Sequence, residues 1–173
     1  MRRFIIFIAV VVAMTIPVPA VFASPESVVS ERCGSVKIAL DQQRRRDLVT
    51  RINRGRAYQT IIDQLQALTD RVRNNQMAVQ PFEQQVAVLK QDFELFRTSY
   101  TAYDDGLRTL LNIDCKDKPG EFLAQLIQVR QLRTQIGERE KAISDTLGRF
   151  REIMVNLQHE LERLRNAVLG EQQ

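Results

Sequence analysis

The stretch FEQQVAVLKQDFELFRTSYTAYDDGLRTL, residues 82–110, decides the fold of this chain. Its large apolar residues fall at Phe82, Val86, Leu89, Phe93, Phe96, Tyr100, Tyr103, Leu107 and Leu110, at alternating steps of four and three. That spacing puts all nine on one stripe of an α-helix and forms an unbroken heptad seam. A strand would need alternation by two, which this stretch lacks. Ordering such a helix costs more than its own stripe returns, so neighbouring helices must share the seam. A seam of this kind reports packing and carries no chemistry of its own.

The flanking segments supply the partners. Upstream, Tyr58, Ile61, Leu65, Leu68 and Val72 keep the same spacing, whereas Leu48 and Ile52 fall on another stripe beyond Asn53-Arg54-Gly55. A glycine in a helix interior costs about 1 kcal/mol relative to Ala, so a kink or break is expected near Gly55. Asn74, Asn75 and Gln76 end this helix, and Pro81 opens the next where its missing N–H does no harm. Downstream, Pro119 and Gly120 open the longest pattern, from Phe122 to Val168. Arg133 and Glu140 alone interrupt its apolar character. This helix outruns the central one, so Phe150, Met154, Leu157, Leu161, Leu164 and Val168 are expected to overhang and to need covering by self-association or a partner helix, the alternative being a helix that bends back at Gly148.

The expected fold is all-α: an elongated antiparallel bundle of three long helices with a kinked amino-terminal helix and coiled-coil-like heptad packing. Residues 1–23 read as a signal peptide, 24–34 as an exposed amino-terminal segment, 35–168 as the bundle and 169–173 as a frayed tail.

Arg2 and Arg3 precede an apolar run from Phe4 to Ile16, and Val21-Phe22-Ala23 offers a cleavage site before Ser24. This is the grammar of an exported chain, with localisation in the envelope, the periplasm or outside the cell. A retained membrane anchor is the alternative, and Pro17 and Pro19 interrupt it. Removing the first 23 residues takes away two arginines and no acid, so the formal charge falls from +4 to +2. The basic balance therefore gives no argument for nucleic acid. Two cysteines in an exported chain imply one disulfide, Cys33 with Cys115.

Chemistry-bearing signals are sparse. The single histidine, His159, falls on the outer face of its helix, and no metal-ligand, cofactor, phosphate-loop or nucleophile pattern accompanies it. The expectation is a non-enzymatic chain with no cofactor and no metal. Asp104 and Asp105 read as a solvated face. Arg44, Arg45, Arg46, Arg51 and Arg56, with Arg54, read as a basic collar that contacts anionic envelope material or pairs with neighbouring acids. Counting levels from the two turns places Tyr100 beside Tyr58 and near Arg133, and Tyr103 near Gly55 and Arg54. Tyr58, Tyr100, Tyr103, Arg133 and Arg54 are thus expected to form a polar layer, with cation–π contact to Arg133 and with Glu140 reaching Lys90. Such a layer either fixes register or forms a small pocket beside Gly55.

Asn53-Arg54-Gly55-Arg56-Ala57-Tyr58, Phe96 with Tyr100 and Tyr103, Ile113-Asp114-Cys115, and Pro119 followed by Phe122 together resemble a group of small exported helical proteins of ultrasmall epibiotic bacteria. The resemblance implies a setting, contact at a cell surface, and no activity. The functional expectation is accordingly a helical protein that binds or assembles at the cell surface or envelope, with an arginine-mediated envelope role as the alternative.

Overall fold

The computed structural model describes residues 24–170, apart from the side chain of Val168. The expected signal peptide and residues 171–173 lie outside the described residues. Among the described residues the chain is all-helical, with α1 (Pro25–Glu31), α2 (Cys33–Asn74), α3 (Gln80–Asn112) and α4 (Pro119–Gly170). The four pack as a helical bundle in which α3 lies against both α2 and α4, and α1 against α4 and α2. No described helix is long and apolar enough to cross a membrane.

Local chemistry sets the helix ends. Ser24 caps α1, its hydroxyl accepting from the Ser27 N–H at 3.2 Å, with Pro25 in the first turn. Segment 24–34 is therefore not simply exposed: it carries α1, and Cys33 is buried. α2 runs unbroken through Gly55, so the expected break does not occur. One glycine in open space is a small cost against a 42-residue helix anchored at both ends. α2 stops at Asn74, and Gln76 just beyond it adopts a left-handed φ of 56°. This lets Gln76 N–H donate to the Arg73 carbonyl at 2.9 Å and Met77 N–H to that of Val72 at 3.2 Å. Between α3 and α4 the Asp114 carboxylate accepts from the N–H groups of Lys116 and Asp117, which hold it below the usual carboxylate range. That turn presents Cys115 to Cys33, and the two form the chain's disulfide with Cα atoms 5.5 Å apart.

All nine seam residues of α3 are buried. α4 answers with every seventh residue, Phe122, Val129, Ile136, Ile143 and Phe150, all buried. α2 adds Ile62, Thr69 and Val72, with Tyr58, Ile61 and Leu65 half-buried. Aromatic edges interlock along the seam, Tyr58 on Phe96 at 5.3 Å and Phe96 on Tyr100 at 5.0 Å. Near the α2–α3 turn a second cluster joins Val72, Phe82, Val86 and Phe150, with Phe82 edge-on to Phe150 at 5.4 Å.

The overhang begins later than expected. Phe150 is buried, and Met154 and Leu157 pack on the second cluster beside Met77 and Val79. From Gln158 to Ala167 every residue is exposed, Leu161 and Leu164 included. The helix continues to Gly170, so the expected fraying at residue 169 is not seen.

Two measurements test this packing. Phe96 is fully buried and Leu95 is 37 % exposed on the opposite face. Phe96→Ala should cost about 3–5 kcal/mol in denaturant unfolding and Leu95→Ala under about 1; equal costs would reject the seam. Reducing the disulfide opens a loop with a sequence separation of 82. On the chain-entropy model, reduction should lower stability by up to about 4.5 kcal/mol; unchanged unfolding after reduction would contradict the bridge.

Candidate functional site

The helices α2 and α4 flank α3 without meeting. Among the described residues, no Cα of one comes within 8 Å of a Cα of the other. The gap is a cleft of about 370 Å³, floored by Tyr100 and Tyr103 of α3. Asp47, Thr50 and Arg54 of α2 form one wall, and Arg133, Gly137 and Glu140 of α4 the other.

Charged side chains bridge the gap where the backbones do not. Arg54 pairs with Glu140, and Arg133 Nη2 stands 3.7 Å from Asp47 Oδ1. Tyr103 donates its hydroxyl proton to Asp47 Oδ2 at 2.7 Å. Higher on α2, Arg44 pairs with Asp41 at 3.4 Å and with Asp104 at 3.5 Å, and Arg51 donates to Thr101 Oγ1 at 3.2 Å.

These surroundings act on the phenols in one direction. Burial pushes Tyr58 up, with the charge of Glu140 adding to it and Arg54 opposing. Burial likewise raises Tyr100, assisted by Glu140 and Asp47. Tyr103 is raised furthest, by burial first and then by its hydrogen bond to a carboxylate that would repel a phenolate. Arg54 is held more firmly protonated by the hydrogen bond it donates to the Glu140 carboxylate.

Four of the five residues expected in a polar layer, Tyr100, Tyr103, Arg133 and Arg54, do line one cleft. Tyr58 is not among them; it packs lower, edge-on to Phe93 and Phe96. Arg133 is no buried core arginine, its side chain being 57 % exposed. The cation–π contact that forms is Arg97 over Phe93 at 5.9 Å. Glu140 reaches Arg54 instead of Lys90, which donates to Gln66 Oε1 at 2.9 Å. Gly137, not Gly55, lines the cleft.

The level count misplaced these partners because it assumed equal advance along both helices. From Arg73–Glu83 to Asp47–Tyr103, α2 advances 26 residues while α3 advances 20. This unequal advance carries Asp47 to the place expected for Arg54.

The arginine collar also divides. Arg44 and Arg51 turn toward α3, whereas Arg45, Arg46 and Arg56 face solvent. Arg45 holds Asp41 at 2.8 Å and, with Arg44, keeps that carboxyl below its ordinary range. Asp104 is not a solvated acid: its side chain is largely covered and also pairs with Arg108 at 2.7 Å. Around the outward arginines, Ile38, Leu48, Val49 and Ile52 are exposed.

Sequence reasoning passed over two groups. Asp47, the hub of the cleft, lies with Arg44, Arg51 and Arg54 on the four-and-three register that ends in Tyr58, so the seam of α2 turns polar instead of slipping phase. The second group is Thr146, buried on α4, which donates to Asp92 Oδ2 at 3.1 Å and accepts from Arg149 at 2.8 Å. Arg149 also donates to Gln85 Oε1 at 3.2 Å. A lone Thr inside a helical run gives no sequence signal for such a network.

The chemistry available in the cleft is that of paired charges. Asp47 and Glu140 balance Arg54 and Arg133, so an anion entering it meets no net positive charge. His159 stands apart on the exposed part of α4, with Nδ1 3.9 Å from Glu162. No metal-holding group of His, Cys, Asp and Glu occurs among the described residues.

Tyr58, Tyr100 and Tyr103 are the three tyrosines of the chain, and all are raised. Absorbance titration should therefore show no phenol ionising near the ordinary value of about 10 while the fold persists. The unfolded chain releases those protons from about pH 10 upward while the folded chain retains them, so stability is full below that pH and falls above it. A native tyrosine titrating normally would contradict the burial of the cleft floor.

Comparison of the chain with protein-family models, curated proteins and solved structures returns no match, so the cleft and the surfaces around it are read from their own geometry.

Proposed function

We propose that this chain is an exported, non-enzymatic helical protein that works by binding or assembly at the cell surface or envelope. Its body is an elongated antiparallel bundle of three long helices with heptad-type packing, and its working surface is the far end of α4. The observation that carries this reading is the run from Gln158 to Ala167. There α4 leaves the bundle and presents Leu161 and Leu164, 46 % and 53 % exposed, on the stripe it elsewhere buries. A stripe that keeps its spacing after its own neighbours end is a surface for another helix. On this reading the cleft is internal furniture: its paired charges set the register of α2 and α4, as polar positions do in coiled coils.

The second reading, attachment to an anionic envelope surface, is favoured by one feature. Arg45, Arg46 and Arg56 lie among the exposed Ile38, Leu48, Val49 and Ile52 on the outer side of α2. Basic and apolar residues mixed on one helix face suit a headgroup layer. No feature of either surface suits nucleic acid.

A photo-crosslinking residue at Leu161 or Leu164 separates the readings in the native cell. The α4 reading expects a defined protein adduct from either position and none from exposed Gln128. No adduct, together with salt-sensitive sedimentation on anionic liposomes that Arg45→Glu with Arg46→Glu abolishes, would transfer the role to α2.

A further inference from the structure

The exposed run of α4 has a symmetry of its own. Its centre reads Glu160-Leu161-Glu162-Arg163-Leu164-Arg165, in which each acid lies as far before the midpoint as a base lies after it. The leucines are placed symmetrically about the same midpoint. On a helix advancing about 100° per residue, Leu157, Leu161 and Leu164 share one stripe. Glu160 and Arg165 border it, one on each edge; Arg163 lies further round on the side of Glu160, and Glu162 further round on the side of Arg165. Glu160 and Arg163 already meet at 2.7 Å within the chain.

We propose that this part of α4 is a homodimer contact that takes the same stretch of a second copy, antiparallel, about a twofold axis between Glu162 and Arg163. The proposal rests on the α4 reading above and names its partner. In this arrangement Leu161 opposes Leu164 of the second copy, and the reverse contact repeats it, as a twofold interface requires. On one side the long side chain of Arg163 reaches in from the outer flank toward Glu160 of the second copy, and on the other Arg165 reaches toward its outward Glu162. Each side carries acid then base, so reversing the partner sets base against acid.

The bundle selects this direction. The stripe of Leu161 and Leu164 continues the one on which Phe150, Met154 and Leu157 pack against Phe82, Met77 and Val79. A helix laid over it therefore stands directly beyond the α2–α3 turn. A parallel partner would run on into that turn. An antiparallel partner instead projects its bundle away from that turn.

The contact is short, so the dimer should be concentration-dependent, which sedimentation of the purified chain over a concentration series reads directly. Glu160→Arg with Glu162→Arg makes the run wholly basic, and Arg163→Glu with Arg165→Glu makes it wholly acidic. All four side chains are exposed, and helicity should be unchanged in both variants. Each variant alone should self-associate at least roughly tenfold more weakly than the native chain, and mixing the two should restore the dimer. Solution scattering of the dimer should give a longest dimension of about 130 Å, against about 80 Å for one α4. A native chain that stays monomeric at every concentration overturns the second copy as partner, while a crosslink from Leu161 to another protein would leave the α4 reading standing. Variants that dimerise like the native chain, a mixture that does not, or a dimer no longer than the monomer also overturn it.

Discussion

Everything in this molecule answers to the buried stripe of α3. Nine large side chains on one 33-residue helix must be covered, and two helices divide the work. α4 covers its share with a column of residues seven apart, and α2 covers its share mainly from Tyr58 to Val72. Because each neighbour is held by α3, the two need not touch, and the cleft between them follows from that division. It also explains why α4 tolerates Arg133 and Glu140 on its stripe. Those positions alternate with the buried column and face the gap.

Forces divide along the length of the bundle. Toward the α2–α3 turn, α2 is held by apolar contact, with Ile62 and Val72 buried. Above Tyr58 its inward face is Arg44, Asp47, Arg51 and Arg54, held by ion pairs and hydrogen bonds. Partly exposed ion pairs contribute about 0–1 kcal/mol each, so they position this half of α2 more than they stabilise it. The disulfide closes the bundle beyond this charged stretch, where Cys33 and Cys115 are buried with Leu107, Leu110 and Phe122.

How far the sequence discloses this depends on whether a residue advertises its face. The α3 seam was legible in full because every position on it is large and apolar. The Cys33–Cys115 bridge was legible because two cysteines in a chain read as exported leave one pairing. The upper half of α2 was not, since periodicity reasoning follows apolar residues and its contact face is charged. Leu48 and Ile52 drew attention to the wrong stripe, and both are exposed. Register was lost for another reason: level counting takes equal advance on both helices, and α2 covers more residues than α3 between the same contacts, which shifts partners by more than a turn. Four of the five polar-layer residues still line one cleft, because that level was fixed by Arg133 on α4 and the tyrosines on α3, whose mutual register the count kept.

The two exposed apolar surfaces differ in kind, and the difference bears on which of them acts. Ile38, Leu48, Val49 and Ile52 on α2 are scattered among arginines, and isolated apolar residues of this sort are normal on a protein surface. Leu161 and Leu164 instead stand in line with Phe150, Met154 and Leu157, at unchanged spacing. Had the last turns of α4 served only to end the helix, nothing would hold leucine on that stripe once α3 no longer covers it, and polar residues there would cost nothing. Retaining the stripe beyond the bundle is the feature that supports the proposed contact outside it. The acids and bases arranged about Leu161 and Leu164 give that contact a direction, which a greasy patch alone would lack.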